Sequence, residues 1–118
     1  MDAILKKFSD AIRQAGGSRP LRLRGGGTKD FYGQALEGEI VDTRAYSGIV
    51  SYEPSELVIT ARCGTRLADV ETALRERGQM LAFEPPHFGP AATIGGCVAA
   101  GLSGPRRASA GAVRDLVL

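Results

Sequence analysis

Bare main chain is concentrated at two places in this sequence. Gly25, Gly26 and Gly27 stand in a row directly after Pro20-Leu21-Arg22-Leu23-Arg24. Much further along, Gly89, Gly95, Gly96, Gly101, Gly104 and Gly111 recur through a stretch otherwise rich in alanine, serine, threonine and proline. Glycine makes up 16 of the 118 residues, roughly twice its usual share. A residue without Cβ lets main-chain N–H groups come close to a neighbour or a ligand, or lets the chain turn tightly. Any fold for this chain must therefore explain why two separate stretches have shed their side chains.

Around these stretches the pattern alternates between helix and strand. Ile4, Leu5, Phe8, Ala11, Ile12 and Ala15 recur at helical spacing, with Lys6, Lys7, Asp10, Arg13 and Gln14 on the other face. Gly16-Gly17 is the expected stop. Pro20 to Arg24 alternates like a short strand, and Glu39 to Asp42 reads as the next one. Ile49–Glu53 and Leu57–Arg62 read as a hairpin around Pro54-Ser55-Glu56. A second helix is expected from Thr65, as N-cap, to Gly78, with Leu67, Val70, Ala73 and Leu74 as its apolar stripe. Gln79–Phe83 is expected to be a short strand, 96–101 a short helix of small residues, and Val113–Leu118 the start of another strand. A chain that stops inside a strand leaves main-chain groups unpaired. The expectation is thus a partial domain whose unfinished sheet edge associates with another copy. The architecture expected is α+β: a small parallel or mixed sheet flanked by the 2–15 and 65–77 helices.

Composition narrows the function. Apolar residues are 43% of the chain, enough for one small core, and no apolar run approaches the ~18 residues of a membrane span. The formal charge of +2 is too weak to imply a nucleic-acid partner. Cys63 and Cys97, with His87 as the lone histidine, cannot furnish the about four ligands of a structural zinc site. They read as two reduced thiols. No charged-then-apolar leader opens the chain, so a cytoplasmic location is expected.

The first candidate site is the loop over residues 24–30: Gly25, Gly26, Gly27, Thr28 and Lys29 behind Arg24. Consecutive bare N–H groups make a concave row that binds anions, chiefly phosphates, and Thr28, Lys29 and Arg24 add a hydroxyl and charge. A flexible turn between strands explains the same glycines. The loop is neither a P-loop, since threonine precedes lysine, nor a dinucleotide fingerprint, since G-x-G-x-x-G is absent. The second candidate is Thr93-Ile94-Gly95-Gly96 with Ser103-Gly104 and Ser109-Ala110-Gly111 behind it, as a facing wall of hydroxyl and N–H donors. Tight packing of a small-residue helix is the competing explanation. His87 has no serine–aspartate companions, so a hydrolase is not indicated, and a structural or solvated role suits it better than catalysis. Arg106 and Arg107 suit a phosphate or a partner's carboxylates, and equally a solvated loop.

In order along the chain, these segments resemble the flavin-binding (PCMH-type) domain of the vanillyl-alcohol oxidase / p-cresol methylhydroxylase family. The resemblance runs from Arg24-Gly-Gly-Gly-Thr28 through Val41-Asp42, Leu57-Val-Ile-Thr-Ala61, Gly64-Thr65, Pro85-Pro86 and Ala92-Thr-Ile-Gly-Gly96 to Ser103-Gly104 and Gly111-Ala-Val-Arg-Asp115. Within it the chain is most similar to the FAD-binding subunits of bacterial glycolate oxidases. The less generic stretches Gly48–Arg62, Gly78-Gln-Met-Leu81, Glu84-Pro-Pro-His-Phe-Gly89 and Gly101-Leu-Ser-Gly-Pro-Arg-Arg107 carry that likeness.

The resemblance implies FAD, its pyrophosphate lying between the 24–30 loop and a second contact segment over 85–115 that includes Pro86. It implies oxidation of glycolate to glyoxylate in a complex with a second FAD-containing subunit and an iron–sulfur subunit. Covalent-flavin members often carry a histidine in the first loop; residues 25–29 have none, so non-covalent FAD is expected. Family members of this type are about three times longer, so no residue here is assigned to substrate chemistry. Two other readings stay open: a flavin-free assembly subunit, and a phosphate- or nucleic-acid-binding module using Arg22, Arg24, Arg106 and Arg107.

Overall fold

A computed structural model describes every residue except Met1, Tyr32, Gln34, His87, Leu102 and Arg106. The readings of His87 and Arg106 therefore lie outside the described residues. The chain opens with helix α1 (Ala3–Ala15), where Asp2 accepts from the Ile4 N–H as N-cap and Gly16 ends the helix in the left-handed conformation. Its apolar face is half-buried, and Phe8 meets the Tyr46 ring edge-on.

Strands β1 (Leu21–Arg24) and β2 (Glu39–Asp42) pair in parallel, Leu21 beside Glu39 through Arg24 beside Asp42. Strands β3 (Ile49–Glu53) and β4 (Val58–Ala61) form an antiparallel hairpin around a 3₁₀ turn at Pro54–Glu56. Helix α2 (Leu67–Arg75) follows, then α3 (Ile94–Ala100) and two single-turn helices, α4 (Arg107–Ala110) and α5 (Val113–Leu116). The α+β class holds. The expected mixed sheet resolves into two separate two-stranded ladders, one parallel and one antiparallel.

Three local expectations are corrected. Thr65 does not cap α2, because its hydroxyl is bonded elsewhere: it donates toward the Arg62 and Gly48 carbonyls and accepts from the Gly48 N–H. Arg66 takes the N-cap position without a side-chain bond to the helix. Gln79–Phe83 is not a strand. Instead Gln79 is tied down by its side chain, accepting from the Tyr52 hydroxyl and donating to the Pro54 carbonyl at 2.8 Å. Residues 113–118 begin as helix α5, with Asp115 accepting from the Ala112 N–H at 3.3 Å. Six residues, Val113-Arg114-Asp115-Leu116-Val117-Leu118, are too few for their pattern to distinguish strand from helix. No sheet edge lies there, so self-association through one has no support.

The core sits away from the parallel ladder. Leu67 from α2, Phe83, Ala92, Cys97 from α3 and Val113 from α5 form one buried cluster, with Leu81 and Ile94 packed against it. Both cysteines are free thiols, Cys63 exposed and Cys97 buried. Burial pushes the Cys97 thiol pKa up, the Lys29 charge works against that shift, and Glu71 adds to it.

Candidate functional site: a glycine loop buttressed by a second stretch

β1 ends at Arg24, and its register with β2 continues one step further. The Thr43 N–H and hydroxyl both donate to the Arg24 carbonyl, at 2.9 and 3.3 Å. The chain then enters the glycine loop, and Arg24 turns back across it. Its guanidinium donates to Asp30 Oδ2 through Nε at 3.1 Å and Nη2 at 3.0 Å, while Arg22 Nη2 lies 3.0 Å from Asp30 Oδ1. Asp30 thus draws the far end of the loop toward β1. The hydrogen bond from Arg24 is the first cause holding its carboxyl below the usual range, reinforced by the charges of both arginines and opposed by desolvation. Gly27 has φ +69°, and a Cβ there would sit 2.8 Å from Arg24 Nε. The left-handed backbone favours glycine here, and a side chain would also have to displace the Arg24 guanidinium.

None of the N–H groups from Gly25 to Lys29 donates to another described residue. Paired main-chain groups are the rule in partly buried segments such as this one. An uncommitted row on consecutive residues is therefore what an anionic ligand would complete. Lys29 forms no ion pair among the described residues.

The second stretch lies directly against this loop. A Cβ on Gly25 would meet Thr93 Oγ1 at 2.6 Å, and one on Gly26 would fall on the Ala91 carbonyl group, 2.6 Å from its carbon. Gly89 comes within 3.9 Å of the Thr28 methyl group, measured at the position of its absent Cβ. So glycines in the first stretch serve a close main-chain approach as well as leaving N–H groups open. The second stretch is itself fixed from behind. The Leu67 N–H donates to the Ala92 carbonyl at 2.8 Å, and the Ile94 and Gly95 N–H groups each donate at 2.9 Å, to Thr65 and Cys63.

The expected facing wall of donors is corrected accordingly. The N–H groups of Ile94, Gly95 and Gly96 are all committed, the last to Thr93 Oγ1 at 3.1 Å as the N-cap of α3. Ser103 is buried, donating to the Gly101 carbonyl and accepting from the Val113 N–H at 3.0 Å. Gly104, with φ +79°, packs on the Glu84 main chain, whose N–H donates to the Ser103 carbonyl. Gly111 has φ +90° and lies 4.0 Å from Asp115, and Pro86 is half-buried. Gly25 to Lys29, Thr93 and the 89–91 turn come together; the contacts described for Ser103, Gly104 and Gly111 are with Gly101, Val113, Glu84 and Asp115 instead. An open hollow of about 470 Å³ lined by Val98, Gly101, Arg107, Ala112, Val113, Arg114 and Val117 takes nothing from the loop.

Sequence reasoning missed Asp30 and Ala91. The two arginines in β1 with an acid six residues after the second were a readable signal for Asp30. Nothing in the sequence marks Ala91, because its contribution is main chain. Arg22 and Arg24 are engaged by Asp30, which removes them as free phosphate ligands and weakens the nucleic-acid reading.

Thr93→Ala removes the cap of α3 and the side chain against Gly25. We expect a loss of about 1 kcal/mol in unfolding free energy, read from the urea midpoint. Beside the loop, Arg44 holds the Asp42 carboxyl down to about 2 from its ordinary 3.8, first through side-chain and then through main-chain hydrogen bonds. Both Asp42 and Asp30 are depressed in the folded chain, so their stabilisation is complete above pH ~4 and is lost as pH falls through the folded values. Because the Asp42 side chain is 43% exposed, its share should not exceed about 1 kcal/mol. The urea midpoint should fall between pH 4 and pH 2, and Asp42→Asn should flatten that fall.

The match to known proteins covers nearly the whole chain. The model of the FAD binding domain family matches residues 5–118. This chain belongs to the FAD binding domain family. It is also 50% identical over 116 residues to glycolate oxidase subunit GlcE of Escherichia coli (strain K12). That alignment covers 98% of this chain and 32% of the relative, so the chain spans about a third of the length of the curated protein it matches. A dinucleotide's diphosphate is an anion of the kind that a row of main-chain donors accepts. No described helix is long and apolar enough to cross a membrane, and no three metal-ligating side chains cluster among the described residues.

Proposed function

We propose that this chain is part of the FAD-binding subunit of an oxidase that converts glycolate, a 2-hydroxy acid, to glyoxylate. It would act in a complex with a second FAD-containing subunit and an iron–sulfur subunit. The family supports the cofactor, and the relative's name, a glycolate oxidase subunit, supports the substrate and the multi-subunit setting. The observation that carries the reading is the row of N–H groups from Gly25 to Lys29, which have no acceptor among the described residues, pressed against Ala91 and Thr93.

The loop's N–H groups would hold the diphosphate, with the Thr28 hydroxyl and the Lys29 ammonium adding donors. Arg24 and Asp30 keep the loop in shape rather than meeting the ligand. The second stretch supplies a fixed surface behind the loop, since the N–H groups of Ile94, Gly95 and Gly96 are already bonded. With no histidine among residues 25–29, these contacts hold FAD without a covalent bond from this loop. When bound, FAD supplies the acceptor for the hydride that leaves the carbinol carbon of a 2-hydroxy acid.

The test is FAD titration of the full-length protein with Thr28 and Lys29 both replaced by alanine. A hydrogen bond to a charged oxygen contributes about 1.5–3 kcal/mol, so the double variant should bind FAD at least tenfold more weakly. Unchanged affinity would remove the loop from the site. A full-length wild-type protein that purifies without flavin absorbance and takes up none would remove the proposed function.

A further inference from the structure

Contacts between the two stretches follow an antiparallel order. Gly25 faces Thr93, Gly26 faces Ala91, Thr28 faces Gly89, and Phe31 faces Phe88. The last pair differs in kind from the others. The two rings meet edge-to-face, with centroids 5.2 Å apart and planes at 81°. Phe31 is 70% exposed and Phe88 44%, so neither belongs to the core built on Leu67. Among the described residues, no hydrogen bond crosses from 25–31 to 88–96. The near end of the seam is held by β1 and by Thr93, which is fixed from behind by α3 and Arg66. At the far end, the described contact between side chains is this pair of rings.

We propose that Phe31 and Phe88 form a clasp that closes the far end of the seam, and are positioning residues for FAD. The proposal rests on the function put forward above. A row of N–H groups grips an anion only while its members converge, and the loop's glycines give it freedom to splay. Tying Phe31 to Phe88 removes that freedom before the ligand arrives. Exposed apolar rings on a loop gain little from core burial here, whereas edge-to-face pairing gives them a directional contact.

The experiment uses the full-length protein with Phe31→Leu, Phe88→Leu, the double variant and Phe88→Tyr. It reads the FAD dissociation rate and dissociation constant, the melting temperature, and exchange of the bonded Asp30 amide in FAD-free protein. Each leucine variant should weaken FAD by about threefold to tenfold, chiefly by faster release. The double variant should be no worse than the weaker single, because both lose one contact. Phe88→Tyr keeps the ring and should bind like wild type. Exchange of the Asp30 N–H, which is bonded to the Gly27 carbonyl at 3.3 Å, should quicken in both leucine variants while the melting temperature holds. Effects that multiply in the double variant, a tyrosine variant no better than leucine, or unchanged exchange at Asp30 would each overturn the clasp. If the wild-type protein takes no FAD, the proposed function falls, and the exchange rates alone then decide the clasp.

Discussion

A Gly26→Val protein will lose FAD binding, by our account by two orders of magnitude or more, and will be less stable as well. The absent Cβ of Gly26 falls on the Ala91 carbonyl group, 2.6 Å from its carbon and 3.1 Å from its Cβ. Main chain cannot rotate aside as a side-chain tip can. The carbonyl on the other side belongs to a stretch pinned through Leu67, Thr65 and Cys63. Valine must therefore push the loop outward. Overpacking of this kind typically costs about 1–3 kcal/mol of stability. The larger effect is on binding, because lifting the loop scatters the N–H row that should converge on the diphosphate. Equilibrium dialysis or flavin fluorescence on the full-length protein gives the affinity, and urea unfolding gives the stability. Near-wild-type FAD affinity in Gly26→Val would mean that the close approach of the two stretches is irrelevant to the site.

Leu67→Ala should have the largest effect on folding. Leu67 is fully buried at the centre of the cluster with Phe83, Ala92, Cys97 and Val113. Truncating such a side chain leaves a cavity and typically costs about 2–5 kcal/mol. Domains are stable by only about 5–15 kcal/mol, so the variant should approach the unfolding threshold at moderate temperature. The same residue reaches the site through its main chain, since its N–H donates to the Ala92 carbonyl. Loss of the side chain should therefore loosen the second stretch as well as the core. Leu67→Met, which nearly conserves volume, should cost less than about 1.5 kcal/mol. Similar urea midpoints for the alanine and methionine variants would show that the core does not centre on this residue.

Elements whose beginning or end is set by local chemistry were legible in the sequence. The 3.6-residue period and the Gly16-Gly17 pair placed α1 to within a residue. Alternation followed by three glycines gave β1 and its loop, and Pro54-Ser55-Glu56 gave the hairpin turn. What failed was set by distant partners. Thr65 has the right chemistry for a cap, yet Gly48, seventeen residues earlier, claims its hydroxyl. Gln79–Phe83 has a strand-like composition but is fixed by Tyr52 and Pro54 instead of a neighbouring strand. Val113–Leu118 is too short for its pattern to decide.

The candidate site divides along the same line. A glycine run announces an open main chain, so Gly25 to Lys29 could be read directly. Whether those N–H groups stay free while the ones at 94–96 are spent inside depends on tertiary hydrogen bonds that no local pattern encodes. The engagement of Arg24 by Asp30, in place of a ligand, is likewise a matter of how the loop folds back on β1.

The central claim is that the main chain of residues 25–29, supported by the stretch around Ala91 and Thr93, is where FAD is gripped. Amide hydrogen exchange on the full-length protein, with and without FAD, measures this directly. The account predicts strong slowing at 25–29 when FAD is added, with little change at Ile94, Gly95 and Gly96, whose N–H groups are already bonded. FAD binding that leaves exchange at 25–29 untouched would contradict it.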